Sequence, residues 1–383
     1  MQHDVPKHAA GSGRDSGSQA EPARKITTRR VRKPGLVAVA RAVGVSQATV
    51  SNAYNRPDQL SDALRERILT AARELGYPGP DPLARKLRHG RAGALGVVFP
   101  ERLPYPFDDA AAIEVLHGIA AALVNEQIAL ILVTGTPEAR HPGTVLRNVA
   151  ADGLIVHSLS SDDPVLKVAL ARKLPTVVID APVIEGTDFV GIDDRAAART
   201  AIQHLLDLGH RRLGVLTFRL SAEPHPGPIG ADRAGSASGR VGHQRLLGCM
   251  DAVAAAGLTW EDVSTHECAT TGIESGREGT HSLLSRNPDI TALFAFSDAL
   301  ALGAKAAAAE CGRSVPGDLS LVGFDDSAPE TAQLTTVHQP QREKGRIAAE
   351  HLIAKLNMAD HKPVISLLPT ELVVRGSTRP LNR

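Results

Sequence analysis

From Gly93 onward, short uninterrupted apolar runs alternate with Ala-rich stretches of helical periodicity. This alternation restricts the fold more than any other property of the chain. The runs fall at 95–99, 128–133, 153–156, 176–179, 213–218, 290–296 and 319–324, and helical segments at 113–124, 196–208, 246–256 and 299–309 lie between them. A strand covered on one face alternates apolar and polar residues, whereas a strand covered on both faces reads as a continuous apolar run. Strand, helix, strand in repetition predicts parallel sheets with helices on both faces. The units are too many for one sheet, so two similar lobes are expected. Residues 219–239, rich in Pro, Gly, Ser and His, interrupt the pattern and read as a long surface loop.

Composition narrows the class. Of the 383 residues 43% are apolar but only 3% aromatic, so the core must be built from Ala, Val, Leu and Ile. No run approaches the ~18 apolar residues of a membrane span. Met1–Gly17 lacks the apolar stretch of a secretory signal. Cys249, Cys268 and Cys311 are scattered and form neither a disulfide framework nor a metal-ligand spacing. A cytoplasmic protein with no membrane contact is expected. The net charge of +1 hides a polarity: residues 1–92 hold 17 Lys and Arg against 8 Asp and Glu, and the remainder 26 against 34. A basic head on an acidic body suggests that the head meets a polyanion.

The head holds the densest local signal. Leu36, Val39, Ala40 and Val43 recur at helical spacing, and Gly44 ends that helix by taking a left-handed turn. Ser46 can cap the next helix, with Val45 and Val50 packing the two together. A third helix starts at the cap candidate Ser61, runs through Leu64, Ile68, Ala71, Ala72 and Leu75, and stops at Gly76. Helix, tight turn, helix is the layout of a helix-turn-helix.

The stretch from Val39 to Asn55 resembles the signature of the lactose-repressor/galactose-repressor (LacI/GalR) family: Val-Ala, two residues, Ala-Gly-Val-Ser, two residues, Thr-Val-Ser, three residues, Asn. Only Val43 departs, replacing Ala. The resemblance implies that the second helix enters the major groove of double-stranded DNA. It gives base reading to Gln47, Ala48 and Asn52, and phosphate contacts to Ser46, Thr49, Ser51 and Asn55. The chemistry agrees, since Gln and Asn pair bidentately with adenine and Ala can touch a thymine methyl. Asn52 stands where many relatives carry Arg, which turns the half-site preference away from guanine. Residues 77–92 look like the family's hinge, whose short helix wedges a Leu into the minor groove; that role falls on Leu87, flanked by Arg85 and Arg88. An apolar wedge costs about a few kcal/mol of unstacking, offset by the wider contact of bent DNA. One extra residue between Tyr77 and Ala84 distinguishes this hinge from the commonest one.

The body carries further family phrases: Leu208-Gly209-His210-Arg211-Arg212, Val315-Pro316-Gly317-Asp318, Gly323-Phe324-Asp325-Asp326 and Leu334-Thr335-Thr336-Val337-His338-Gln339-Pro340. They imply the two-lobed α/β fold of periplasmic sugar-binding proteins (type I), with the chain crossing between lobes near 192–195, near 337–340 and just before Thr370. A ligand belongs where the carboxyl ends of the strands face each other. The resemblance places Arg245 and Asp325 on the effector, with Ser297 and Asp298 in place of the commoner Asn-Asp pair. Phe107, after the first strand, is expected to stack on a sugar ring.

The expected organisation is a basic arm at 1–33, an all-α helix-turn-helix domain at 34–76, a hinge at 77–92 and a two-lobed effector-binding and dimerisation domain at 93–383. The expected function is a repressor whose affinity for a palindromic operator is set by a small molecule, a sugar or related metabolite. No Leu heptad follows Arg375, so a homodimer is expected rather than a tetramer. No P-loop, Gly-x-Ser-x-Gly or His-Glu-x-x-His motif points to an enzyme, and no cofactor is implied. An activator of the same family and a sugar-binding solute receptor are the alternatives.

Overall fold

The structure, a computed structural model, describes residues 35–79, 91–100, 102–135, 143–358 and 360–381. Two compact units divide after Arg88.

In the first unit, α1 (Leu36–Val43), α2 (Gln47–Asn55) and α3 (Asp62–Glu74) enclose a small core. Gly44 takes φ 75° and returns its N–H to Ala40 O, ending α1 as expected. Ser46 accepts from Thr49 N at 3.0 Å and Ser61 from Leu64 N at 3.4 Å, so both predicted caps are made. Val39, Val50 and Ile68 have no exposed surface. Burial of each such Val or Ile side chain contributes about 1.5–3 kcal/mol, which matters in a core of six buried residues. The Nε of Arg65 on α3 donates to Ala53 O at 3.3 Å and braces α2 from behind.

The second unit begins with β1 (Ala94–Phe99), a one-turn helix α4 (Tyr105–Asp108), α5 (Ala110–Leu123), β2 (Ala129–Thr134), α6 (Thr144–Asn148), β3 (Gly153–His157), α7 (Pro164–Ala171), β4 (Thr176–Ile179) and β5 (Asp188–Ile192). It continues with α8 (Asp194–Asp207), β6 (Leu213–Thr217), β7 (Gly227–Pro228), α9 (Ala231–Gly235), α10 (Arg240–Ala255), β8 (Val263–Glu267), α11 (Ile273–Arg286), β9 (Ala292–Ala295), α12 (Asp298–Glu310), β10 (Ser320–Asp325) and β11 (Thr335–His338). It closes with α13 (Gln341–Asn357), β12 (Ile365–Leu368) and β13 (Glu371–Val373).

Among the described residues the strands form two sheets. One runs β12-β5-β4-β3-β1-β2, parallel throughout; the other runs β13-β11-β10-β9-β6-β8-β7, with antiparallel strands at its two edges. Each sheet has a separate apolar cluster on either face. On the first sheet Val97 and Ile155 face α5 and α13, while Val98 and Val156 face α6 and α7. On the second sheet Val215 and Phe294 face α8 and α10, while Leu216 and Leu293 face α11 and α12. Double-sided burial is the reason that the apolar runs are continuous. The chain crosses between sheets at 193, at 339–340 and at 369–370, where the sequence had implied it.

Segment 219–239 is not the surface loop that the sequence suggested. It adds β7 to the sheet edge, forms α9, and buries Leu220, Ile229 and Ala234. The reason is electrostatic as well as apolar. Glu267 at the end of β8 has no exposed surface, and Arg233 of α9 binds it through Nε and Nη2, each at 2.7 Å. A buried carboxylate requires such a partner.

Candidate functional site

Two places gather the residues that the sequence singled out. The first is the outer face of α2. Val50 and Ala53 are buried against α1 and α3. Positions 47, 48, 51 and 52 fall on the opposite side of a 3.6-residue helix. Ser46, Gln47 and Ala48 are exposed, and Thr49, Ser51 and Asn52 are partly so. Ser46 is engaged as the cap, and its hydroxyl also lies 2.8 Å from that of Thr49. Asn52 donates from Nδ2 to Gln59 Oε1 at 3.2 Å, an exposed bond that water or another polar edge can replace. The side chain of Asn55 lies outside the described residues. So do Arg85, Leu87 and Arg88, with the hinge helix assigned to them, and the basic arm at 1–33.

The second place is a cleft between the two lobes of about 1310 Å³, continuous with a narrower compartment of about 110 Å³. The strands position it, because β1, β3, β4, β6, β9 and β10 all end there. Ser297 and Asp325 line both parts. Ser297 caps α12, accepting from Leu300 N at 3.2 Å and donating to Thr271 O at 3.2 Å. Asp298, in the first turn of α12, accepts from Thr336 Oγ1 at 2.6 Å and Asp326 N at 2.7 Å; burial pushes its carboxyl up to about 6. Asp325 takes φ 125° and accepts from Gln339 Nε2 at 2.5 Å. Burial, and the neighbouring Asp298, raise its carboxyl well above the usual range. These two carboxyls therefore present a mixture of donor and acceptor oxygens near neutral pH.

Arg245 lies in the narrow compartment at 4% exposure. Its Nε donates to Asp194 Oδ1 at 3.0 Å, its Nη1 to Phe296 O at 2.5 Å, and its guanidinium carbon stands 3.5 Å from the centre of the Phe324 ring. It is a wall of the compartment and the partner of a buried aspartate. Phe107 departs from expectation. It is 61% exposed and does not line the cleft; Tyr105 and Asp108 of the same turn do. Two residues along a helix rotate a side chain by roughly 200°. Tyr105 packs edge-on against Phe99, so Phe107 is turned outward.

The structure also brings in groups that sequence reasoning missed. His157 and Asp180 follow the apolar runs at 153–156 and 176–179, so the strand-end rule could have found them. Arg240 crosses from the second lobe to donate to Asp180 O at 3.0 Å. Lys344 has no exposed surface and donates to Asp180 Oδ1 at 2.7 Å. Burial works against the charge on Asp180, yet the Lys344 ammonium holds its carboxyl below the usual range. Burial lowers His157 to about 4, so its ring is neutral at neutral pH. Its Nδ1 is buried and has no hydrogen-bond partner among the described residues, while the residue lines the narrow compartment. Lys344 had no signal of its own, standing in the polar run Arg342-Glu343-Lys344. Among the described residues no three His, Cys, Asp or Glu side chains gather in a metal-holding arrangement, and no helix is long and apolar enough to cross a membrane.

Comparison with known proteins matches both parts of the chain. Residues 36–79 match the model for bacterial regulatory proteins of the lacI family, and residues 202–378 match a periplasmic binding protein-like domain. An HTH-type transcriptional regulator of Mycobacterium tuberculosis is 42% identical over 91% of this chain and 97% of its own length. The HTH-type transcriptional regulator IpsA of Corynebacterium glutamicum is 39% identical over 87% of this chain and 94% of its own. Among solved structures, the transcriptional regulator CelR in complex with cellobiose superimposes with a TM-score of 0.64 at 30% identity, covering 90% of this chain and 99% of that one.

Proposed function

Because the chain belongs to the lacI family of bacterial transcriptional regulators, we propose that it is a repressor released from, or clamped onto, its operator by a small polyhydroxylated molecule held between the two lobes. The observation that carries this reading is the pairing, within one chain, of an exposed α2 face bearing Gln47, Ala48 and Asn52 with a cleft whose polar groups suit hydroxyls. Gln47 and Asn52 read adenine edges, and Ala48 meets a thymine methyl. Ser46, Thr49, Ser51 and Asn55 hold phosphates and set the register. Residues 77–92 form the hinge, and Leu87 with Arg85 and Arg88 opens the minor groove at the centre of the site. A homodimer matches a palindromic operator by its two-fold symmetry.

In the cleft, Asp325 and Asp298 offer oxygens on the second lobe, the neutral His157 ring lines the first, and Arg245 and Arg240 close the inner wall. A sugar or a related metabolite fits that set, and the cellobiose held by the regulator CelR is of this class. By linkage, operator DNA changes effector affinity by the same factor as the effector changes operator affinity. The test is selection of genomic fragments with the purified, ligand-free protein. Enrichment of one palindrome supports the reading; fragments retained without a shared sequence count against specific repression. Repeating the selection with Asn52→Arg should change the preferred base at one position of each half-site.

A further inference from the structure

Helix α13 joins two places that lie at opposite ends of the first lobe. Its first turn faces the cleft. Lys344 donates to Asp180 Oδ1 at 2.7 Å and to Gln339 Oε1 at 2.5 Å, and Gln339 Nε2 donates to Asp325 Oδ1 of the second lobe. An ammonium can only donate, so Gln339 must turn its amide oxygen to Lys344 and its NH2 to Asp325. One buried lysine thereby fixes the orientation of a link between the lobes.

The last turn of α13 meets the first described residues beyond 80–90. Arg91 donates from Nη2 to Leu356 O at 2.8 Å and from Nη1 to Asn357 Oδ1 at 3.4 Å. The final carbonyls of a helix lack partners within it, and a cation there is favoured by the helix dipole. The next two residues are held by a different element. Asp152, immediately before β3, accepts from Ala92 N at 2.5 Å and from Gly93 N at 2.6 Å. Residue 91 is thus fastened to the helix, and residues 92–93 to the sheet. A shift of the helix along the sheet must be absorbed between them, at the exit of the segment proposed as the hinge.

The helix is also stiffened from outside. A Cβ at Gly118 of α5 would collide with Arg342 O, and one at Gly345 with Val115 O, so α5 and α13 touch backbone to backbone. Contact this close resists sliding of one helix against the other, and both N-terminal ends face the cleft, α5 through its cap Asp109.

We propose that α13 is the connecting rod by which the state of the cleft reaches the DNA-binding hinge, with Lys344 and Arg91 as positioning residues at its ends. This rests on the regulator reading above. Lys344 and Leu356 are about 18 Å apart at 1.5 Å per residue. At that separation substitutions in unconnected sites add, whereas two sites biasing one rigid element do not.

The experiment is a mutant cycle on affinity for the selected operator fragment, without effector. The proteins are wild type, Arg91→Ala, the neutral pair Asp180→Asn with Lys344→Met, and all three substitutions together. Gln339→Leu, which breaks the link to Asp325 and leaves the Asp180–Lys344 pair, takes the place of the neutral pair if that variant does not fold. The cleft variant should shift operator Kd by about 5-fold or more alone, and by less than about 2-fold when Arg91→Ala is present. Factors that multiply across the cycle overturn the rod, as does an unchanged Kd in the cleft variant. A wild-type protein that retains no DNA, either ligand-free or with a panel of mono- and disaccharides present, removes the regulator reading and the rod with it. Multiplying factors with wild-type binding intact remove the rod alone.

Discussion

The face of α2 and the cleft treat polar side chains in opposite ways. On α2 the candidate readers are short, exposed and lightly held: Gln47 and Ala48 stand in solvent, and Asn52 has one exposed bond, to Gln59. In the cleft the charged groups are buried and bound to each other, Asp180 to Lys344 and Asp194 to Arg245. The difference teaches where each site stores its specificity. A DNA-reading face meets a ligand that brings its own partners, so its side chains stay uncommitted on a firm scaffold. A cleft proposed to hold a small molecule uses groups already oriented, at the expense of a network whose loss destabilises the whole unit.

That contrast can be broken most forcefully away from both sites. Arg233→Ala leaves the fully buried Glu267 unpaired. It should cost the effector unit about 3–5 kcal/mol in urea unfolding followed by far-UV circular dichroism; a loss under about 1 kcal/mol would mean that the network is not what holds 219–239 down. The second effect is pH dependence. His157 is lowered from 6.5 to about 4 in the folded protein. The unfolded chain therefore binds a proton that the folded one does not, and stability is lost as pH falls from 6.5 towards 4. The contribution is at most about 3 kcal/mol, and Asp298, raised to about 6, opposes it over the same range. In His157→Gln the urea midpoint at pH 4.5 should rise relative to that at pH 7, compared with wild type. Residues 35–79 contain no histidine, so the helix-turn-helix has no equivalent loss.

The smaller effects belong to α2. Gln47→Ala should weaken operator binding by about 1–3 kcal/mol, read by fluorescence anisotropy, with melting unchanged to within roughly 0.5 kcal/mol. The same substitution altering stability instead would place Gln47 in the fold rather than on the DNA. Ser46→Ala removes the cap of α2 and should cost about 1 kcal/mol, visible as a lower melting temperature of the helix-turn-helix transition.

How much of this was legible in the sequence follows from how local each determinant is. Gly44, Ser46 and Ser61 act within one turn of chain, and their turns and caps are where the sequence placed them. The continuous apolar runs identified most of the buried strands because their character depends only on burial from both sides. Strands such as Val263–Glu267, four-fifths polar and at one side of a sheet, carried no such mark. Segment 219–239 was misread because its apolar residues Leu220, Ile229 and Ala234 are far apart and Arg233 finds Glu267 34 positions away. The outward turn of Phe107 and the burial of Lys344 likewise depend on neighbours distant in sequence: Lys344 is anchored by Asp180, 164 positions away.

Asp325 has one further consequence. It occupies φ 125°, a backbone region that suits glycine, and it keeps there a carboxyl that burial has made costly to ionise. Strain of this kind is worth about 1–3 kcal/mol. The position thus sets durability against responsiveness. Asp325→Gly would relax the backbone and remove the buried acid, giving a sturdier protein and, if Asp325 holds the effector as proposed, one that no longer discriminates its signal. Selection for heat resistance alone would drift towards that glycine, and selection for regulation would restore the aspartate.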